Sequence, residues 1–375
     1  MKIKPTTKFA ILALSLVLVA CAGGGSEEAG CPAIDGREIN VVATTPMIGE
    51  FVSQVGGESI NLTVLMPPEA NPHTYEPAPQ DAGTIAEADL VFYTGLLYEP
   101  EALVKLLENS ACSTDILSEV GESVFPIEFK EGGHDDHDDH DDHDDHDDRD
   151  DEEGHDDEEG HDDEEGHDDH DDEEGHDDEE GHDDHDDEEG HDDHEGHNHG
   201  AYDPHFWFDP SRVAYAAEYI ESRLIQFDPE NESSYKSSAD SFVSELNDLT
   251  KQVSELISTV PSQNRKLITT HESLGYLEAK FGLEVLSTII PSLNSANEIS
   301  PSDLAGVIDV IEDNNVKVIF IESEAPSVYS ETIVAETGIK PVTGLYVETL
   351  KPGQSYSEFL ISNVKLITEN LQDTD

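Results

Sequence analysis

One segment of the chain, residues 134–200, contains no side chain that could contribute to a hydrophobic core. Its 67 residues are 16 histidines, 28 aspartates, 13 glutamates, eight glycines, one asparagine and one arginine, mostly in His-Asp-Asp repeats. Folding must offset lost chain entropy by burying apolar surface, and this segment, called the insert below, has none to bury. We predict that the insert is disordered unless something binds it, and that the fold is built from the chain on either side.

The rest of the chain is acidic but otherwise ordinary in composition. The protein has 375 residues, of which 88 are acidic and 18 basic; outside the insert, 47 acidic residues accompany 17 basic ones. This excess argues against a nucleic-acid-binding protein, which needs clustered lysines and arginines. No apolar run reaches the roughly 18–20 residues that cross a bilayer, which excludes a multispanning membrane protein. The 308 residues outside the insert are enough for two domains.

Residues 1–20 have the pattern of a secretory signal peptide. Lys2, Lys4 and Lys8 precede an apolar run at 9–20, which ends at Cys21. The sequence LVAC at 18–21 looks like a bacterial lipobox, in which the cysteine is lipidated; an ordinary signal peptide with a chance cysteine is the alternative. Residues 21–36 then form a flexible tether, and the protein is anchored in the cell envelope, periplasmic or on the outer face of the cytoplasmic membrane.

Two further cysteines, Cys31 and Cys112, allow one intrachain disulfide. Export to an oxidising compartment favours such a bridge. Their spacing does not show that they are close, and two unpaired buried cysteines are the alternative.

Apolar runs alternate with helical patterns on both sides of the insert. The runs are β-branched and often continuous, as in strands that are buried on both faces. They lie at 39–44, 61–66 and 90–94 before the insert, and at 267–270, 283–290, 316–321 and 342–347 after it. Residues 81–88 and 301–312 have helical spacing. The alternation predicts an α/β fold with parallel strands and crossover helices, once on each side of the insert.

A long helix is predicted between the two sets of strands. Apolar residues recur at spacings of three and four from near Asn231 to near Val260, with Pro229 and Pro261 as start and stop signals. At 1.5 Å per residue this helix spans roughly 45 Å, so we expect a rigid strut that leans on both halves. The predicted organisation is an N-terminal lobe at 37–133 and 201–230, a linker helix at 231–260 and a C-terminal lobe at 261–375.

Three histidines lie outside the insert, in similar places. His73 and His271 follow predicted strands, and His205 lies in a proline-bounded turn before a helix. Glu348 follows the strand at 342–347. Ligands bind beyond the carboxyl ends of strands in open α/β sheets, so we expect these four side chains to form a metal site at the lobe interface. Three imidazoles with a carboxylate or water match tetrahedral zinc, whereas manganese and magnesium prefer more oxygen ligands. Any one of these histidines, taken alone, could instead be a hydrogen-bonded turn residue.

These segments resemble the metal-site segments of the solute-binding lipoproteins of zinc and manganese ABC importers. The likeness is carried by residues 72–77 (PHTYEP), 203–210 (DPHFWFDP) and 270–276 (THESLGY), which occur in the family's order. It covers about residues 37–370, interrupted by the insert. The resemblance implies two similar α/β lobes joined by one long helix, with the metal held in the cleft between them.

The resemblance also implies a ligand set. The family's first and second ligands correspond to His73 and His205. The third is a histidine in zinc-type members and usually a glutamate in manganese-type members; here it is His271, which favours zinc. The fourth, an aspartate in many members, corresponds to Glu348, which either coordinates or leaves the position to water. Zinc-type members often carry a disulfide in the C-terminal lobe, but no cysteine follows Cys112 here, so any bridge must differ.

Three carboxylates are candidates for outer partners of the ligands. Metal-bound histidines usually donate their second ring proton to a carboxylate or carbonyl, and we consider Asp203, Asp209 and Glu322 for this role. Helix capping and surface charge are the alternative explanation. We expect Trp207 to pack the loop that carries His205, because indole cannot ligate a metal.

The sequence thus predicts a monomeric, lipid-anchored subunit that captures Zn²⁺ and delivers it to an ABC permease with its ATPase. The insert would gather zinc at many weak sites as an antenna or reservoir; a solvating or calcium-buffering loop is the alternative. No catalysis is required. Three other functions stay open: manganese or iron binding, a zinc-dependent hydrolase, and a surface metal sink or adhesin. Against a hydrolase, there is no nucleophile motif and no metalloprotease-type histidine pair.

Overall fold

The computed structural model describes residues 31, 34, 36–129, 202–324 and 328–372. The predicted signal peptide, the lipobox cysteine Cys21, most of the tether and the whole insert lie outside the described residues. None of the described helices is both long enough and apolar enough to cross a membrane.

The chain before the insert forms a parallel sheet with helices between its strands. Its elements are β1 (Ile39–Ala43), α1 (Pro46–Gly56), β2 (Ile60–Val64), α2 (Pro79–Ala86), β3 (Leu90–Tyr93), α3 (Glu101–Ser110) and β4 (Leu117–Glu119). The strand order is β2-β1-β3-β4, and every neighbouring pair is parallel. The three predicted strands are therefore confirmed. The sequence did not indicate β4, because three residues are too few to form a recognisable apolar run.

Two helices follow the insert, α4 (Pro210–Phe227) and α5 (Glu232–Ser258). The predicted helix between the two sets of strands is confirmed as α5, whose 27 residues span about 40 Å. It packs against α1 and α4 on the N-terminal side and against α9 (Tyr356–Gln372) from the end of the chain. Its buried stripe is Tyr235, Ala239, Phe242, Leu246, Leu249, Val253 and Ile257. The helix therefore contacts both halves of the described fold, as expected.

The chain after α5 repeats the alternation of strands and helices. Its elements are β5 (Lys266–His271), α6 (Gly275–Phe281), β6 (Glu284–Ile290), α7 (Pro301–Asp313), β7 (Val318–Glu322), α8 (Val328–Thr337), β8 (Lys340–Leu345) and α9. β5 pairs with β6 and β7 with β8, both in parallel. β5 and β7 lie side by side and are joined by the backbone amide of Glu322, which donates to Thr270 Oγ1 at 3.0 Å.

The predicted fold class is thus confirmed as α/β with parallel sheets in two lobes. The N-lobe is β1–β4 with α1–α4, and the C-lobe is β5–β8 with α6–α9. One hydrophobic cluster runs through both lobes and α5, and it includes Trp207 and its two phenylalanine neighbours. The boundaries given to the domains from the sequence remain a prediction.

Cys31 and Cys112 form a disulfide with their Cα atoms 5.0 Å apart. The bridge joins the segment before β1 to the residues that follow α3. The bridge ties the start of the described chain to the N-lobe. Cys31 comes ten positions after the predicted lipid anchor, Cys21.

Candidate metal centre

The turn that carries His73 is fixed by its neighbour Asn71. This turn, Pro72–Thr74, follows β2, and the Asn71 side chain accepts a hydrogen bond from the His73 backbone amide at 2.9 Å. The side-chain amide nitrogen of Asn71, Nδ2, donates to Ser295 Oγ at 3.0 Å and to the Glu324 backbone carbonyl at 3.2 Å. Since both acceptors belong to the C-lobe, the N-lobe histidine is positioned from across the cleft.

His205 is held by Asp203, two residues before it. One oxygen of Asp203 accepts from the backbone amide of His205 at 2.9 Å and from its ring Nδ1 at 2.8 Å. A carboxylate that accepts from Nδ1 fixes the proton there and leaves Nε2 as the free lone pair of a neutral ring. Trp207 secures the loop from the other side, because its indole N–H donates to the Val347 carbonyl at 2.8 Å.

His271 is held in the same way by Glu322. His271 ends β5 and Glu322 ends β7, and these two strands lie side by side, so both side chains are at the carboxyl ends of neighbouring strands. His271 Nδ1 lies 2.5 Å from one Glu322 oxygen, and the His271 backbone amide donates to the other at 3.2 Å. Both side chains are buried, and Nε2 of His271 points away from this contact.

Glu348 lies at the centre of the three histidines. Its Oε1 is 3.1 Å from His73 Nε2 and 3.0 Å from His271 Nε2, and its Oε2 is 3.5 Å from His205 Nε2. The Tyr98 hydroxyl lies 2.9 Å from Oε2. The Glu348 side chain is wholly buried, so its charge is compensated by the histidines and not by solvent.

The four side chains offer a set of ligand atoms of the right kind and spacing for one metal ion. One atom from each of His73, His205, His271 and Glu348 lies within 4.8 Å of all the others. Tetrahedral zinc, with bonds of about 2.0–2.2 Å, needs its ligand atoms about 3.4 Å apart. Among the described residues, Nε2 of His205 and Nε2 of His271 are buried without a hydrogen-bond partner, since their approaches to Glu348 lack hydrogen-bond geometry. Two buried ring nitrogens without a hydrogen-bond partner, facing a carboxylate, are an arrangement that a bound cation would satisfy.

Mutual charge compensation shifts the pKa values of the cluster. Burial raises the pKa of Glu348, but His73 and His271 outweigh this effect and hold it well below its usual value. Burial lowers the pKa of His271, yet the carboxylates of Glu322 and Glu348 raise it well above 6.5. Burial also lowers the pKa of His205, but the hydrogen bond to Asp203 and the neighbouring Glu348 outweigh this effect, so the pKa of His205 is raised. Without a metal, the histidine rings of the cluster therefore hold protons, and a bound cation would displace those protons.

A further carboxylate, Glu324, lies beside the cluster. Its Oε1 accepts from the Val347 and Glu348 amides at 3.3 and 3.4 Å, and its Oε2 is buried without a hydrogen-bond partner in the described chain. Burial, followed by the charges of Glu348 and Glu322, raises the pKa of Glu324 to about 8. Glu324 is therefore mostly neutral at neutral pH, which limits the negative charge around Glu348.

The structure brings together all four residues that the sequence singled out as metal ligands; their coordination of a metal stays a prediction. The expected outer contacts of Asp203 and Glu322 are present, and Trp207 packs the His205 loop as predicted. For Asp209 the structure shows the alternative, helix capping: its carboxylate caps α4 by accepting from the Ser211 amide at 2.9 Å.

Sequence reasoning missed Tyr98 and Glu324. Both come shortly after strands, β3 and β7, so the rule that identified the histidines also applies to them. Tyr98 was overlooked because an aromatic residue among leucines resembles an ordinary core position.

Known proteins share this chain's sequence pattern and fold. The high-affinity zinc uptake system protein ZnuA of Bacillus subtilis is 27% identical, over 97% of this chain and 96% of its own. The manganese-binding lipoprotein MntA of Halalkalibacterium halodurans is 21% identical, over 95% and 94% of the two chains. The periplasmic zinc binding protein TroA of Treponema pallidum has the same fold, with a TM-score of 0.66 at 19% identity, covering 89% of this chain and 99% of that one.

The family match extends over most of the chain. Residues 41–370 match the family described as zinc-uptake complex component A, periplasmic. Its members are solute-binding proteins of ABC importers and not enzymes, which removes the hydrolase alternative. This chain belongs to that family and is a metal-binding substrate-binding protein of an ABC transporter.

Proposed function

We propose that this protein is a high-affinity extracytoplasmic zinc-binding subunit of an ABC importer, with Zn²⁺ as its transported ligand. The ligands are His73, His205, His271 and Glu348. The observation that carries the proposal is the convergence of three imidazoles and a single carboxylate within 4.8 Å in a buried site. Three nitrogens and one oxygen suit the four-coordinate geometry of zinc.

The choice of zinc rests on the donor set, because the names of the relatives differ in their metals. The Bacillus subtilis relative is named for zinc and the Halalkalibacterium halodurans relative for manganese, and a structure of YtgA from Chlamydia trachomatis with the same fold is described as Fe(III)-bound. Manganese and ferric iron favour oxygen-rich sites with more ligands. Here Glu322 and Asp203 are committed to orienting histidines, so they are not free to add oxygens to the ion.

The same proposal covers location and partners. Cys21 would carry the lipid that keeps the monomeric protein at the membrane, and several relatives are named as lipoproteins. The loaded protein would dock on a permease, driven by its ATPase, and release the ion there. The side chains of His205, His271 and Glu348 are fully buried and that of His73 is 3% exposed, so release of the ion would require the lobes or their loops to move.

The insert would serve this site as a low-affinity zinc reservoir. The described residues that flank it are close together, because the Asp203 amide donates to the Ile127 carbonyl at 3.0 Å and Glu128 pairs with Tyr202 in an antiparallel bridge. In the sequence, the insert ends a few residues before His205. This continuity of the chain with a proposed ligand supports a shared zinc-binding role.

Competition between metals tests the proposal. The apoprotein is titrated with zinc in the presence of a chelator of known affinity, and the titration is repeated with manganese and iron. We expect one tight site per molecule that keeps zinc against an excess of either competitor, and that disappears in His271→Ala. Tighter retention of manganese or iron by the wild-type protein would contradict zinc as the cargo.

A further inference from the structure

Tyr98 lies inside the site although it is not one of the four proposed ligands. Its buried ring packs edge-on against His73, with centroids 5.0 Å apart, and against His205 at 5.8 Å. Its hydroxyl lies 2.9 Å from Glu348 Oε2 and 3.0 Å from the Glu348 carbonyl. A carboxylate oxygen can only accept, so the Tyr98 hydroxyl is the donor in its contact with Oε2.

The two oxygens of Glu348 consequently have different surroundings. Oε1 faces the ring nitrogens of His73 and His271 at 3.1 and 3.0 Å and receives nothing from Tyr98. Oε2 receives the Tyr98 hydroxyl. Bidentate coordination requires both oxygens to face the ion symmetrically, and a hydrogen bond to one of them works against that orientation.

The turn that presents Tyr98 has an unusual backbone. Gly95, Leu96 and Leu97 have φ angles of 77°, 54° and 61°, a left-handed conformation that leucine rarely adopts. Two carboxylates hold the turn: Glu99 accepts from the Gly95 amide at 2.9 Å and Glu119 from the Leu96 amide at 2.9 Å. A side chain at position 95 would collide with Glu119. Strained turns persist where the surrounding structure fixes them, and they concentrate at functional sites.

We propose that Tyr98 determines metal specificity as a positioning residue: its hydroxyl holds Glu348 as a one-oxygen ligand and so keeps the site four-coordinate. This inference rests on the proposed function, since it takes Glu348 to be a ligand of the cargo. Zinc is satisfied by four ligands, whereas manganese gains from additional oxygens. A carboxylate released from Tyr98 can rotate and offer both oxygens, which would lower the discrimination between the two metals.

The test compares Tyr98→Phe with Tyr235→Phe. Both substitutions remove one buried hydroxyl that donates to a carboxylate, but Tyr235, in the first turn of α5, donates to Asp228 at the end of α4. Zinc and manganese affinities are measured by chelator competition. In Tyr98→Phe we expect zinc affinity to fall about tenfold while manganese affinity holds or rises, so that the ratio of affinities changes by about tenfold or more. The control should leave the ratio unchanged.

An equal loss for both metals, or no loss, would overturn the proposal, because a merely structural role affects both alike. Co²⁺ provides a second readout: the wild-type complex should show the intense visible bands of four-coordinate cobalt, and Tyr98→Phe the weaker bands of higher coordination. If the variant does not fold, the wild-type spectrum still decides, since weak high-coordination bands contradict one-oxygen ligation. The ratio of zinc affinity to manganese affinity can be compared between variant and wild type whichever metal the wild-type protein prefers. The proposal for Tyr98 can therefore fail while the zinc assignment holds, and the reverse.

Discussion

Glu322 contacts His271 twice, through the ring Nδ1 at 2.5 Å and through the backbone amide at 3.2 Å, at the carboxyl ends of the neighbouring strands β5 and β7. This double contact fixes both the direction of the ring and the position of its Nδ1 proton. We predict that Glu322→Gln weakens zinc binding by about 10- to 100-fold, because a neutral amide orients the ring less strongly and makes Nε2 less basic.

Isothermal titration against a chelator measures this loss. Asp228→Asn serves as the control, because Asp228 is also buried and hydrogen-bonded but lies between α4 and α5. Equal affinities in Glu322→Gln and the wild-type protein would show that the contact does not tune the ligand.

Removal of a ligand should lower zinc affinity more than removal of the carboxylate that orients that ligand. We predict that His73→Ala, His205→Ala and His271→Ala each weaken the tight site by more than about 100-fold. Glu348→Ala should cost less than any of them, since water can take the fourth position of a zinc site. Retention of full affinity by any histidine variant would remove that residue from the ligand set.

The shifted pKa values predict how pH acts on the metal-free protein. The raised pKa values of His205 and His271 give stability that is present below 6.5 and is lost as pH rises through the raised values. The lowered pKa of Glu348 gives stability that is present above 4.5 and is lost as pH falls through the lowered value. These shifts arise from one shared interaction, between the histidines and Glu348. Its full contribution to the free energy of unfolding is therefore expected between pH 4.5 and 6.5.

The metal-free wild-type protein and Glu348→Gln are unfolded in urea at pH 5.5 and at pH 9. The difference between their free energies of unfolding should be larger at pH 5.5 than at pH 9. Zinc binding near neutral pH should release protons, which calorimetry in buffers of different ionisation enthalpy detects. A proton release of zero would contradict protonated rings in the apo site.

Deletion of the insert separates the two kinds of zinc binding. A chain in which residues 134–200 are replaced by a short glycine-serine link should lose several weak zinc sites and keep one tight site. The closeness of Ile127 and Asp203 means that a short link can close the gap without strain. Unchanged zinc stoichiometry after deletion would end the reservoir interpretation.

The disulfide should stabilise the N-lobe without affecting the metal site. Cys31 and Cys112 are 81 positions apart, and closure of a loop of that length typically contributes about 2–4 kcal/mol. The double variant Cys31→Ala/Cys112→Ala should lose that much free energy of unfolding in urea while its zinc affinity stays the same. No loss of stability would show that the bridge constrains the chain little.

The sequence was sufficient for the ligands because strand ends in an α/β fold share an edge. That rule predicted that His271 and Glu348 lie close together although they are 77 positions apart in the chain. The spacing of apolar residues separately predicted α5. The orientation of Tyr98 could not be predicted in this way. It depends on two leucines in left-handed conformation, held by Glu99 and Glu119, and no local pattern in the sequence announces such a turn. The Cys31–Cys112 pairing likewise depends on a long-range approach that spacing does not encode.

X-ray absorption at the zinc edge, on the insert-deleted protein loaded with one equivalent of zinc, counts the ligands and identifies the imidazoles among them. We expect four light ligands at about 2.0–2.2 Å, three of them with the multiple-scattering signature of imidazole. His205→Ala should reduce that signature by one ring. Five or six ligands, or fewer than three imidazoles in the parent protein, would contradict a zinc site made by His73, His205, His271 and Glu348.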